Sequence, residues 1–190
     1  MSNKLSSVAT ARAAKIADKQ LLAFVKEQAA KKDPFLNCLQ FLRDGNNILK
    51  IKFIIRCPHD SYWHDQVLTG DIDMPQDYPF SPPVVHFTCN LYHPNIYQDG
   101  KVCISILNNK QDEFKYYAVT ELWSPAIDIT TIIISIWNLL LEPNIESPAN
   151  VDAMKDYRDN LELFTQKTRE KLVFDKTLLE SQTKQNEEPL

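Results

Sequence analysis

Cys103 ends the run His93-Pro94-Asn95-Ile96-Tyr97-Gln98-Asp99-Gly100-Lys101-Val102-Cys103, and the short apolar segment Ile104 to Leu107 follows it. A free cysteine is a candidate nucleophile by its chemistry, since a thiolate can attack an acyl carbon and carry the acyl group. His93 offers itself as a base, which would make a thiol hydrolase. Triad chemistry also needs a third group to orient the histidine, and the sequence has no obvious one. Pro94 and Gly100 are backbone choices, one fixing a turn and the other permitting one. Cys38, Cys57 and Cys89 read as buried or inert thiols. The four cysteines form no CxxC pair, which argues against a zinc site or a disulfide framework and suits a reducing compartment. His59 and His64 read as solvent-facing loop residues, so neither a metal nor a cofactor is expected.

The elements around this run must position it. From about Thr10 to Lys32 the chain lacks Gly and Pro, and Ile16, Leu21, Phe24 and Val25 recur at near-helical intervals. Asp33-Pro34 ends that helix. Strands are expected over Phe35 to Leu42, Ile48 to Arg56, Gln66 to Met74 and Val84 to Cys89, with a hairpin turn at Asp44-Gly45-Asn46-Asn47. A Pro-rich turn, Tyr78-Pro79-Phe80-Ser81-Pro82-Pro83, precedes the fourth strand, and Asn90 to Leu107 reads as an irregular flap. Ser124-Pro125 and Ser147-Pro148 each pair a capping hydroxyl with a proline, predicting the starts of two helices. The first of these is apolar nearly all round and must be central. The second covers a surface with Val151, Met154, Tyr157, Leu161 and Phe164. The outcome is an α+β domain built on an antiparallel four-stranded sheet, with an N-terminal helix, a central helix and C-terminal helices. Its expected bounds are a flexible N-terminus over 1–9, a catalytic domain over 10–175 and a polar tail over 176–190.

Composition narrows the classes. The net charge of -4, without a long basic run interleaved with aromatics, argues against nucleic-acid binding. The greasiest stretch, Ile129 to Leu141, falls short of the roughly 20 apolar residues of a membrane span. No secretory signal is evident in the first thirty residues. A cytoplasmic monomer is expected, possible destinations being the nucleus or the cytosolic face of the endoplasmic reticulum.

From about Gly45 to Phe164 the chain resembles the ubiquitin-conjugating enzyme family. The resemblance rests on His93-Pro94-Asn95 with Cys103 at the family spacing, on Tyr78-Pro79-Phe80-Ser81-Pro82-Pro83, on Trp123-Ser124-Pro125 and on Glu142-Pro143-Asn144. It implies that Cys103 accepts ubiquitin from an activating enzyme as a thioester and yields it to a lysine amine. It further implies that Asn95 holds the flap and stabilises the oxyanion of aminolysis, while His93 is a structural hydrogen-bonding residue. Phe80, Pro125 and Ala126 occupy positions that meet a RING or HECT-type ubiquitin ligase. Residues Asn108 to Leu122 stand where short relatives have almost nothing, which resembles the loop-insert subclass that builds chains and, in one branch, serves degradation of endoplasmic-reticulum proteins. In that loop Asp112 and Glu113 are candidates to orient an acceptor, while Phe114, Tyr116 and Tyr117 suggest packing over the site. Ser147 is both an expected helix cap and an expected gate residue. The run from Cys57 to Leu68 departs from the family's Pro-Tyr and paired glycines, which leaves room for a rival: an inactive family member acting as a ubiquitin-binding scaffold.

Overall fold

The computed structural model describes residues 2–31, 39–44, 47–57, 62–63, 66–109 and 122–172. In chain order the elements are α1 (Ser2–Lys31), β1 (Leu39–Asp44), β2 (Asn47–Arg56), β3 (Val67–Asp73), β4 (Val84–Phe87), α2 (Ile129–Leu141), α3 (Val151–Asp159) and α4 (Leu161–Lys171). The four strands form one antiparallel sheet in the order β1-β2-β3-β4, as the alternation of apolar and polar residues predicts.

Strand period sorts the side chains. Ile51, Phe53 and Ile55 of β2, Leu68 and Ile72 of β3, and Val85 and Phe87 of β4 are all buried in one core. Gly70 is opposite Phe53, and a Cβ there would come within 2.2 Å of that ring. The glycine therefore lets Phe53 lie across β3 and meet Phe87 edge-on, at 5.5 Å between centroids. On the alternate positions Lys50 bridges Asp71 and Asp73, both at 3.1 Å.

Ile129, Ile132, Ile133, Ile136, Trp137 and Leu140 of α2 enter the same core, so this helix is central as expected. Helix α1 begins at Ser2, earlier than the sequence placed it, and buries Ala13, Ala17 and Phe24. Its alanines let the helix backbone lie close to its neighbours. Val25, expected on that apolar stripe, is half exposed instead.

The helix caps require a correction. Helix α2 starts at Ile129 with Asp128 as its cap, the carboxylate accepting the Thr131 N–H at 2.8 Å. Ser124 instead closes a turn, its carbonyl accepting the Ile127 N–H at 2.9 Å. Helix α3 starts at Val151 with Asn150 as cap, not at Pro148 with Ser147. The N–H groups of Ala149 and Asn150, which would open a helix begun at Pro148, are both taken by the Pro94 carbonyl, at 2.8 and 2.9 Å. The surface helix is also two helices, broken at Asn160, which caps α4 through Leu163 N–H. A second, smaller core of Tyr92, Ala153 and Phe164, flanked by Tyr62 and Tyr157, seats this pair. Tyr62 comes from the divergent run before β3, so that run contributes an aromatic anchor. The 110–121 part of the insertion, with Asp112, Glu113, Phe114, Tyr116 and Tyr117, lies outside the described residues, as do Cys38, His59, His64 and the 176–190 tail.

Candidate active site

The flap between β4 and α2 is held by its own backbone before any side chain acts. Phe87 N–H donates to Gly100 carbonyl, Val102 N–H to Val85 carbonyl and Tyr97 N–H to Lys101 carbonyl, while Ile96 and Val102 form an isolated bridge. Gly100 makes the turn at φ +87°, and a Cβ there would meet the Phe87 carbonyl at 2.1 Å. Only glycine fits that approach. Cys103 follows on this frame, its N–H donating to the Asn95 carbonyl at 2.9 Å and its side chain half-buried.

Each residue of His93-Pro94-Asn95 ties the flap to the segment that runs from the end of α2 to the start of α3. His93 is fully buried. Its Nδ1 accepts the Asn95 N–H at 3.0 Å, which fixes the other nitrogen as the N–H donor to the Leu139 carbonyl, also at 3.0 Å. Burial drives its pKa down to about 3, against an opposing pull from the Leu139 carbonyl. A neutral imidazole with both nitrogens occupied has neither of them free to face the thiol. Pro94 contributes the carbonyl described above. Asn95 exchanges hydrogen bonds with Asn144, its Oδ1 accepting the Asn144 N–H and its Nδ2 donating to the Asn144 carbonyl, both at 2.8 Å. Nδ2 also donates to the Ser147 carbonyl at 3.3 Å. Ser147 thus meets the site through its backbone, as a support of Asn95.

Tyr97 escaped the sequence reading. Its exposed side chain places the hydroxyl 3.9 Å from Cys103 Sγ. The signal was available: Asp99-Gly100 is a hairpin dipeptide, and folding the chain there brings 97 back beside the strand that ends at 103. Asn144 was likewise quoted as part of a motif but not as the partner of Asn95. Among the described residues no group of His, Cys, Asp and Glu could hold a metal ion. Cys57 is buried, and Cys89 is packed with its thiol on the Thr69 carbonyl at 3.6 Å, burial raising its pKa. Neither is placed for nucleophilic work.

Two loops converge at Trp123. Trp123 Nε1 donates to the Pro79 carbonyl at 2.9 Å, and its ring lies 6.0 Å from that of Tyr78. Tyr78 in turn donates to Gln20 of α1 at 2.7 Å. These contacts hold Phe80, 64% exposed, on the Pro-rich loop, and Pro125 and Ala126, both exposed, on the Trp-Ser-Pro loop. The neck of the insertion is closed by Trp123 N–H on the Asn108 carbonyl at 3.0 Å.

The four-stranded sheet and the central helix thus frame a half-buried cysteine on a flap stapled by His-Pro-Asn. The family model described as ubiquitin-conjugating enzyme matches residues 23–172, and the chain belongs to that family. It is 42% identical over 129 residues to ubiquitin-conjugating enzyme E2-34 kDa of Saccharomyces cerevisiae, covering 67% of this chain and 44% of that protein. It is 44% identical over 119 residues to ubiquitin-conjugating enzyme E2 G2 of Homo sapiens, covering 62% of this chain and 72% of that one. Ubiquitin-conjugating enzyme E2 14 of Arabidopsis thaliana is 41% identical over 127 residues, covering 66% and 76%. The chain thus spans less than half the length of the yeast relative. Among the described residues no helix is long and apolar enough to cross a membrane.

Proposed function

We propose that Cys103 takes ubiquitin from an activating enzyme and delivers it to a lysine amine. The Sγ thiolate attacks the acyl carbon of the incoming thioester, the new S–C bond forms, and the activating enzyme's thiolate leaves. A lysine amine then attacks the same carbon, the C–S bond breaks, the amine loses a proton, and Cys103 leaves as thiolate. The observation that carries this reading is a half-buried nucleophile on a rigid flap whose histidine is neutral and fully bonded. A thioester beside such a histidine does not find in it a base to activate water, so it persists until an amine arrives. That also argues against a hydrolase.

Asn95 supports transfer chiefly by holding the 144–147 segment beside the thiol. The longer of its two Nδ2 bonds, to Ser147, is the one it can release to an oxyanion. Phe80, Pro125 and Ala126 form the face for a RING or HECT-type ligase, with Phe80 as its apolar anchor. The setting we propose is a monomer in the cytoplasm, recruited to the cytosolic face of the endoplasmic reticulum and engaged in protein degradation. Asp112 and Glu113 of the insertion are assigned to orienting an acceptor. Incubation with activating enzyme, ATP and ubiquitin tests the central step. A carrier forms a reductant-sensitive adduct, whereas a ubiquitin-binding scaffold forms none and a thiol hydrolase cleaves an acyl substrate without ATP.

A further inference from the structure

Helix α1 starts well ahead of the residues that match the family model. Those begin at 23, whereas the helix is Ser2–Lys31, so about six turns precede the match. One side of α1 is in the core with Ala13, Ala17 and Phe24 and packs on α2 and β2. The opposite side carries Val8, Arg12, Lys15, Lys19, Leu22 and Lys26, all exposed, with Val8 65% and Leu22 56% open to solvent. Intervals of three and four residues put these six on one line along the helix, about 27 Å long. Asp18 and Glu27, the helix's carboxylates, lie on either side of that line, about 80–100° round the axis. They moderate its field without interrupting it. None of the four cations forms an ion pair among the described residues.

The whole helix has six Lys or Arg against those two carboxylates, a net of +4 on a chain of net -4, which leaves -8 on the rest. An anionic partner is therefore drawn to α1 and repelled by the other faces, whose charges are screened beyond about 10 Å once α1 is in contact. Two observations set the kind of partner. The six side chains point one way from a straight rod, so they reach a plane together, and the apolar pair stands in line with the cations, where a layer of headgroups receives both. Five of the six also precede the family match, so the partners that the family shares do not account for them. We propose that the outer line of α1 is a reversible contact for an anionic lipid surface. Arg12, Lys15, Lys19 and Lys26 meet the headgroups, and Val8 and Leu22 dip shallowly between them. The apolar face of the helix is committed to the core, so α1 lies on the surface and does not enter the hydrocarbon. Gln20 of the same helix holds Tyr78 of the Pro-rich loop, so a surface that receives α1 keeps Phe80 close to it. This goes beyond the carrier reading and does not rest on it.

The test is flotation of the full chain with phosphatidylcholine vesicles, with and without phosphatidylserine, at low and at raised salt. The expected result is binding to the phosphatidylserine vesicles that falls with salt. A cation near such a surface contributes about fivefold, so Arg12→Gln with Lys15→Gln and Lys19→Gln should lower the partition coefficient by at least about tenfold. Arg12→Lys with Lys15→Arg and Lys19→Arg should bind like the wild type, because charge and not side-chain identity is read. Charging of the glutamine variant by activating enzyme and ATP, without vesicles, should match the wild type, which also shows that the variant is folded. Equal partition onto both kinds of vesicle, binding to neither included, overturns the lipid contact and leaves the carrier reading standing. Binding that survives the glutamine variant, or is lost in the exchanged one, overturns it as well. A glutamine variant that charges poorly while the wild type ignores vesicles assigns the line to the activating enzyme instead.

Discussion

His93 has no nitrogen left for Cys103, because one accepts the Asn95 N–H and the other donates to Leu139. Its cost appears in acid. The folded pKa of about 3 lies below the ordinary 6.5, so between those values the unfolded chain binds a proton that the folded chain refuses. The stability that neutral His93 contributes is therefore complete above pH 6.5 and is lost as pH falls toward 3. Acidifying from pH 6.5 to 5 is expected to cost about 2 kcal/mol through this side chain. Urea midpoints across that range should show the slope, and His93→Gln, which cannot titrate there, should flatten it. An equal slope in the variant would assign the loss to other groups. Asn95 makes a second case, with three side-chain bonds into the 144–147 segment. Asn95→Ala should slow single-turnover discharge to lysine by about tenfold or more while hurting loading less. Unchanged discharge in a variant that remains folded would confine Asn95 to structure. The sequence marked both residues through their motif. It did not show that Asn144 completes the arrangement, since that pairing depends on where a distant loop returns.

Strands and the central helix were legible at the scale of the element because period and apolar content suffice to specify them. The helix starts were not. Ser124-Pro125 and Ser147-Pro148 satisfy local capping rules, but the caps are Asp128 and Asn150, whose side chains accept the Thr131 and Ala153 N–H groups, while Ser124 closes a turn of its own and the Ala149 and Asn150 N–H groups bond the Pro94 carbonyl. A local capping signal offers candidates, and the fold selects among them. The insertion belongs to this scale too. Its neck, Trp123 N–H on the Asn108 carbonyl, sits just beyond the Cys103 segment, so the loop leaves the domain close to the thiol. Replacing residues 108–122 with a short flexible link should leave loading nearly intact and reduce ubiquitin-to-ubiquitin transfer. Neutralising Asp112 and Glu113 alone should do much less, because exposed carboxylates are screened and contribute about 1 kcal/mol or less. Discharge to free lysine and to acceptor ubiquitin, followed in parallel, checks this. Equal chain formation by the replacement would make the loop a passive insertion.

Taken whole, the molecule keeps a rigid core under two working edges. The Trp123–Pro79 and Tyr78–Gln20 bonds tie α1, the Pro-rich loop and the Trp-Ser-Pro loop into one support for Phe80. The His-Pro-Asn bonds tie the flap to α2 and α3 on the edge that holds Cys103. The motifs made this division readable in outline. The second core, with Tyr62 from the divergent run, was not readable, because its members are far apart in sequence and show no common period. The central claim is that Cys103 alone carries ubiquitin. The most direct measurement is charging by activating enzyme and ATP, compared for the wild-type chain, Cys103→Ser and Cys103→Ala with and without reductant. The account predicts a reductant-sensitive adduct on the wild type, a slower and reductant-resistant oxyester on the serine variant, and none on the alanine variant. Charging that persists in Cys103→Ala would contradict it.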